Sequence, residues 1–533
     1  MAALDGVVRR REELPFRAPH LVQRLLVRHP TEGRIVSTVD LRTQDLVERQ
    51  LGRYVERNHR LGIRNGSVLL VDHRTMEVRA YAGSADFWDA SLRGQVDGIR
   101  ARRSPGSALK PFVYALALDQ ALINPVTLLK DASLTISNYN PENFDREFLG
   151  PINATEALVR SRNLPAIQLA NQLRAPDLYD FLHAAGIGRL RSREFYGLAL
   201  ALGGVEVRPD ELARLYAMLA NGGEVRDLIF AAGEASASPR RLLSAEASHL
   251  VLEMLRRNPR PVDFRGAMPV RERAIPWKTG TSWGFRDAWA AGIVGPYVLV
   301  VWVGNFDGAP NRAFVGRDAT GPLFFEIADA LRVSEQLREA PLPRLRLAQV
   351  EVCALSGHLP GPHCKQRKTT SMIPGVSPID TCTIHREVAI DVASGLRACA
   401  EQHEDVRREV YEFWPSDLLA LFRTAGIARR TPPPFAPRCN GPSPRGIAPL
   451  IASPQARVDY ATDAALSRQI PFSAVTDSDS RVVYWFVGDA FAGVSSAGEP
   501  LLWRARPGTF TVRAVDEQGR SVSTRLHVIV ESS

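Results

Sequence analysis

Lysine is nearly missing from this chain. Of 67 basic residues among 533, only Lys110, Lys130, Lys278, Lys365 and Lys368 are lysine, and the others are arginine. Arginine cannot be deprotonated in a protein, whereas a desolvated lysine can act as a base or a compact proton relay. The few lysines are therefore the first positions to inspect for acid–base chemistry. Cysteine is scarce as well: Cys353, Cys364, Cys382, Cys399 and Cys439 all lie beyond Leu342, which leaves the preceding residues without a thiol. No window approaches the roughly 18 continuous apolar residues of a membrane helix. The N-terminus lacks the basic-then-apolar layout of a signal peptide. As given, the chain is expected to be soluble and to carry no export address of its own. Zinc-finger spacings and lysine-rich tracts are missing too, and the arginines are scattered. The net charge of +9 is accordingly read as residence near an anionic membrane or cell wall, with nucleic acid excluded as a partner.

What is present is ordinary for folded protein: 45% apolar and 23% charged residues, over a length that predicts two to four domains. Residues 1–35 are basic and mixed, and read as a linker remnant. Leu46, Val47, Leu51, Tyr54 and Val55 fit one face of a helix over 41–55. Ser67–Val71 and Glu77–Tyr81 read as an antiparallel hairpin about the Asp72–Thr75 turn. A mostly helical block follows to about Arg256, with helices over 154–159, 166–173 (opened by Pro165) and 211–219 (opened by Pro209). Strand character returns over 274–281, 287–294 and 297–303. Two strands, a helical block and three strands predict an α+β fold in which the first and last segments share one sheet. That domain is expected to span 36–342. A cysteine-containing extension (343–430) and a proline-rich linker (431–445) lead to an all-β, immunoglobulin-like sandwich over 446–533. There Phe510/Val512/Ala514 and Leu526/Val528/Val530 alternate with polar neighbours.

Three motifs occur in order: Ser107-Ala108-Leu109-Lys110, Ser161-Arg162-Asn163 and Lys278-Thr279-Gly280. With a helix starting near Pro105, Ser107 and Lys110 stand on one face. Ser107 is placed to attack a carbonyl while Lys110, held neutral by burial and a second nearby cation, takes its proton. Ser161, in a break between helices, can relay a proton to a leaving amine. Asn163 can hydrogen-bond Lys110 and a substrate amide. Lys278 supplies the second positive charge and, with Thr279, can hold a carboxylate. Gly280 is expected to let substrate backbone approach the strand edge. The backbone N–H groups of Ser107 and Thr281 would receive the oxyanion. Each motif alone has a bland reading as a solvated pair, a capped turn or an edge strand. Their joint occurrence, each in the secondary structure its role requires, favours chemistry.

The same trio marks penicillin-binding proteins and serine β-lactamases, and the resemblance extends further. Arg103–Ser107 with Lys110-Pro111-Phe112, Tyr139–Phe144, Ala201–Gly204 and Trp277–Trp283 resemble the transpeptidase domain of class A penicillin-binding proteins. Gly83–Phe87 and the C-terminal sandwich resemble the 1C type, and the likeness runs from about residue 34 to the end. It implies a periplasmic serine DD-transpeptidase acting on peptidoglycan stem peptides and acylated by β-lactams. It also implies contacts to other cell-wall synthesis proteins through the C-terminal domain. No cofactor is implied, and no metal is assigned to the reacting site. The family's membrane helix and glycosyltransferase domain have no counterpart in these residues, so glycosyltransferase activity is not expected from this chain. Arg162 stands where the family commonly has a small or apolar residue, which bears on substrate preference. The rival readings are a β-lactam-hydrolysing or sensing protein on the same fold, which needs a deacylation base, and a non-catalytic cell-wall scaffold. For the cysteines three readings stay open: one or two disulfides, a zinc site using Cys364, Cys382 and His385, or unpaired buried thiols.

Overall fold

Strand β1 (Asn65–Asp72) is buried along its whole length, and the larger domain is built outward from it. The computed structural model describes residues 16–133, 140–234, 237–261, 274–335, 345–399, 404–437, 439, 446–456, 458–462 and 468–530. Pro15, Tyr139, the expected boundary at 342–343 and residues 440–445 of the expected linker lie outside them. β1 pairs with β2 (Val78–Ala82) on one side. On the other lie three strands from much later in the chain: β3 (Trp277–Thr281), β4 (Asp287–Val294) and β5 (Tyr297–Gly304). The order is β2-β1-β5-β4-β3, antiparallel throughout. The first and last segments therefore do share a sheet, and β3 is its edge.

Alternate residues of a strand face opposite sides, and here both sides are covered, so the strands are apolar on both faces. Val68, Leu70, Leu299, Val301 and Val303 pack into one core, and Leu69, Val71, Val298, Val300 and Trp302 into the other. Eight helices matter for the site: α1 (Pro19–Arg28), α2 (Leu41–Asn58), α3 (Lys110–Asp119), α4 (Ala154–Val159), α5 (Asn163–Gln172), α6 (Pro209–Ala220), α7 (Ala245–Arg256) and α8 (Gly321–Glu335). α2 and α8 cover the first face. α3 lies in the middle of the helical block on the second and is buried from Lys110 through Leu118, which is why its sequence is apolar all round.

Two expectations change. The presumed linker over 1–35 contains α1, whose Leu21 and Leu25 enter the core and whose Arg24 pairs with Asp210 at 3.0 Å. The helix expected from Ala166 begins at Asn163. Pro165 sits in its first turn, where no intrahelical N–H bond is lost.

Beyond residue 345 the chain forms two antiparallel hairpins, Ala348–Cys353 with Arg367–Met372 and His385–Asp391 with Val406–Glu412, and the helix Ser416–Thr424. Cys399 and Cys439 are joined in a disulfide, while Cys353, Cys364 and Cys382 are free and buried. The last strands make two sheets, of three and five strands, around Ile470, Phe472, Trp485, Val512, Ala514, Leu526 and Val528. Val530, expected on the same inward face, is 48% exposed at the strand's end. Among the described residues no helix is long and apolar enough to cross a membrane.

Candidate active site

Gly106–Leu109 form a single 3-10 turn that passes directly into α3 at Lys110. The turn is pressed against the main chain of β3. Gly106 has φ +52°, and a Cβ there would lie 2.2 Å from the Thr281 carbonyl oxygen. A Cβ on Gly280 would lie 2.0 Å from the Pro105 carbonyl oxygen. Two glycines thus allow a contact that any side chain would prevent. This corrects the reading of Gly280: the space beside its Cα is filled by the Ser107 turn and does not admit substrate backbone. The turn is also tied from behind, since Trp289 Nε1 donates to Ser104 O at 2.8 Å and Tyr216 Oη to Ala108 O at 2.9 Å.

Ser161 is where the three motifs meet. It follows α4 in a left-handed conformation with φ +59°, which costs a non-glycine residue about 1 kcal/mol. Both of its oxygens are engaged by lysine: Lys110 Nζ donates to the Ser161 carbonyl at 2.5 Å, and Lys278 Nζ donates to the Ser161 hydroxyl at 2.8 Å. Lys110 Nζ also donates to Asn163 Oδ1 at 2.7 Å, while Asn163 Nδ2 donates to Glu142 O at 2.7 Å and so fixes the amide's orientation. Lys278 Nζ gives a second bond to Thr279 O at 2.9 Å. Thr281 Oγ1 accepts from Gly316 N at 2.9 Å. Thr279 is half-buried on the edge strand.

Both lysines are fully buried. Burial pushes the Lys110 amine well below its ordinary 10.5, and the positive charges of Lys278 and Arg162 push the same way. Burial, helped by Arg317, brings Lys278 down to about 7. A neutral amine has two N–H donors and one lone pair. On Lys110 both donors are committed, to Ser161 and Asn163, so the lone pair is left to accept a proton.

Sequence reasoning missed what holds the middle motif. Arg162 is 7% exposed and turned inward. Its Nε donates to Asp131 Oδ2 at 2.7 Å, its Nη1 to Asp145 Oδ2 at 2.6 Å, and its Nη2 to Glu147 O. Asp131 also accepts from Asn143 Nδ2 at 2.7 Å and Leu149 N at 3.0 Å, and Asn143 Oδ1 in turn accepts from Asn163 N at 2.8 Å. Asn143 lies in a stretch already singled out. Nothing local marked Asp131.

Residues 66–304 match the family described as penicillin binding protein transpeptidase domain. Residues 346–387 match the penicillin-binding protein 1A C-terminal domain, and 441–527 the penicillin-binding protein C-terminus family. The chain is 32% identical over 422 residues to penicillin-binding protein 1C of Escherichia coli K12, covering 76% of this chain and 53% of that protein. It is 28% identical over 278 residues to penicillin-binding protein 1A of Neisseria meningitidis, covering 48% and 34%. The chain thus spans about half the length of the Escherichia coli relative. Its fold is that of penicillin-binding protein 1A from Haemophilus influenzae, with a TM-score of 0.57 at 18% identity over 69% of this chain and 78% of that one. The transpeptidase family matches over 66–304 and penicillin-binding-protein C-terminal families match beyond it, so the chain is similar to class A penicillin-binding proteins, with a transpeptidase domain followed by C-terminal modules.

Proposed function

We propose that the chain is a serine DD-transpeptidase that cross-links peptidoglycan stem peptides through an acyl-enzyme on Ser107, in the periplasm. The observation that carries this reading is the convergence of two buried lysines on Ser161, one of which, Lys110, opens the helix that follows the turn carrying Ser107. Ser107 Oγ attacks the carbonyl between two D-alanines as its proton passes to the free lone pair of Lys110. The N–H groups of Ser107 and Thr281 receive the negative oxygen; Thr281 N lies beside Gly106, 2.8 Å from where a Cβ would stand. Ser161, its oxygen held by Lys278, gives its hydroxyl proton to the leaving amine and is reprotonated by the proton that Lys110 took from Ser107, and terminal D-alanine departs. An amine of a second stem peptide then attacks the ester, giving its proton back along the same path and freeing Ser107. Lys278 and Thr279 hold the donor's terminal carboxylate. β3, a sheet edge, can accept substrate backbone along its open side.

A hydrolytic β-lactamase would need a carboxylate or equivalent base to activate water. Of the carboxylates near the middle motif, Asp131 and Asp145 are both held by Arg162 and Glu142 is turned to solvent beside Arg146, which supports transpeptidation over hydrolysis. Labelled penicillin separates the alternatives. Stable, stoichiometric labelling that disappears in Ser107→Ala, with cross-linking of a supplied glycan polymer, is expected. Rapid turnover of the label would favour the lactamase, and an unlabelled wild-type protein would sink both enzyme readings.

A further inference from the structure

The two hairpins after the transpeptidase domain are held together by very little apolar surface. The buried residues of their shared core are Cys353, Cys364, Cys382, Ile384, Trp414 and Phe422, half of them free thiols, with Leu128, Leu355, Leu418 and Leu419 packed partly buried against them. A two-stranded hairpin is marginal alone, and units this small usually need a staple. The one disulfide joins Cys399 to Cys439 and leaves these three thiols unbridged.

A fourth group joins them. His385 Nδ1 lies 3.6 Å from Cys353 Sγ, 3.4 Å from Cys364 Sγ and 3.6 Å from Cys382 Sγ. All four atoms fall within 4.8 Å of one another. A tetrahedral zinc ion with Zn–S of about 2.3 Å and Zn–N of about 2.05 Å sets each N···S separation at about 3.6 Å. The imidazole thus stands where a ligand would, equidistant from three sulfurs. Three buried sulfurs and one half-buried imidazole nitrogen favour zinc over harder cations.

The chain layout fits the same conclusion. Cys353 ends the strand Ala348–Cys353 and Cys364 closely precedes Arg367–Met372, so the pair flanks the turn of one hairpin. Cys382, whose N donates to Leu359 O at 2.7 Å, and His385 open the other. We propose that Cys353, Cys364, Cys382 and His385 bind one structural zinc ion that joins the two hairpins. The site also fixes the module to the transpeptidase domain. In the loop between Cys353 and Cys364, Gly357 sits so close to Val126 that a Cβ would lie 2.4 Å from its carbonyl oxygen. Asn124 Nδ2 donates to Gly357 O at 3.1 Å. The chain from Asn124 runs on into Asp131, the partner of Arg162.

The test is elemental analysis of the full chain purified without chelator. About one zinc per chain is expected, retained in Cys399→Ser and lost in Cys364→Ser and His385→Ala. Because those last variants can misfold, wild type provides the deciding readout. Stripping its metal with a chelator should expose three reactive thiols and lower the Tm, and added zinc should reverse both. Cobalt in place of zinc should give a thiolate-to-metal charge-transfer band. Wild-type protein that holds no zinc after refolding with it, that carries a full equivalent of another metal, or that shows a disulfide among Cys353, Cys364 and Cys382, overturns the assignment.

Discussion

Replacing Arg162 by methionine tests the electrostatics of the site and the stability of its loop at once. The pair with Asp131 is buried on both sides, at 7% and 0% exposure, whereas the Asp145 partner is 43% exposed. The solvent-facing pair is worth at most about 1 kcal/mol. Removing one member of the buried pair strands a desolvated carboxylate, at about 3–5 kcal/mol. Asp131 keeps its bonds from Asn143 and Leu149, so the lower end applies. About 3 kcal/mol in a domain of this size lowers the Tm by about 5 °C. The second effect has a definite sign. The Arg162 charge favours neutral Lys110, and the Asp131 charge opposes it. The substitution removes the first and leaves the second bare, so the Lys110 pKa rises and the acid limb of penicillin acylation moves to higher pH. Asp131→Asn should move that limb the other way. Thermal unfolding and acylation rates across pH measure both. A Tm change under about 2 °C together with an unmoved acid limb would refute the role given to this pair.

Further outcomes follow from the lysines. Lys110→Met removes the base without burying a fixed charge, and should cut acylation by about 10²–10⁴-fold while the Tm moves by only a few degrees; acylation near the wild-type rate would take Lys110 out of the mechanism. The second-order acylation rate should be bell-shaped in pH, rising as Lys110 loses its proton and falling as Lys278 loses its charge around pH 7. An esterified β-lactam, having no carboxylate for Lys278, should lack the falling limb, and a limb that persists with the ester would count against that contact. The stability linkage has the corresponding sign. With Lys278 depressed from 10.5 to about 7, the unfolded chain binds the extra proton between those values. Stability from this group therefore grows as pH rises across that window and is lost below it.

The sheet was legible because its strands are apolar on both faces and broken by clear turns such as Gly295-Pro296. The joining of β1 to β5 followed from the alternation of element types. α1 was not legible. Its Leu21 and Leu25 sit within a basic N-terminal stretch, and both their docking into the core and the pair of Arg24 with Asp210 depend on residues far away in sequence. The motif residues could be named because their chemistry fixes their spacing. Arg162 could not be interpreted, because its orientation depends on Asp131, whose approach is set by the fold. Gly280 was misread for a similar reason: the sequence shows a missing side chain, but only the tertiary contact shows what fills its place. Cys353 escaped the cysteine arithmetic because a ligand set drawn from two hairpins has no short repeat.

The Cys399–Cys439 bridge has a consequence for how the chain matures. Its formation requires an oxidant, and an oxidant meets all five thiols. Cys382 is nearer to Cys399 in sequence than Cys439 is, and the shorter loop closes with less entropy loss, so chance collision favours the wrong partner. The native bridge, spanning 40 positions, is therefore reached either after the hairpins have withdrawn Cys353, Cys364 and Cys382 from reaction, or by later reshuffling. Burial of those three sulfurs before oxidation would make assembly of the small module the step that decides whether the bond forms correctly.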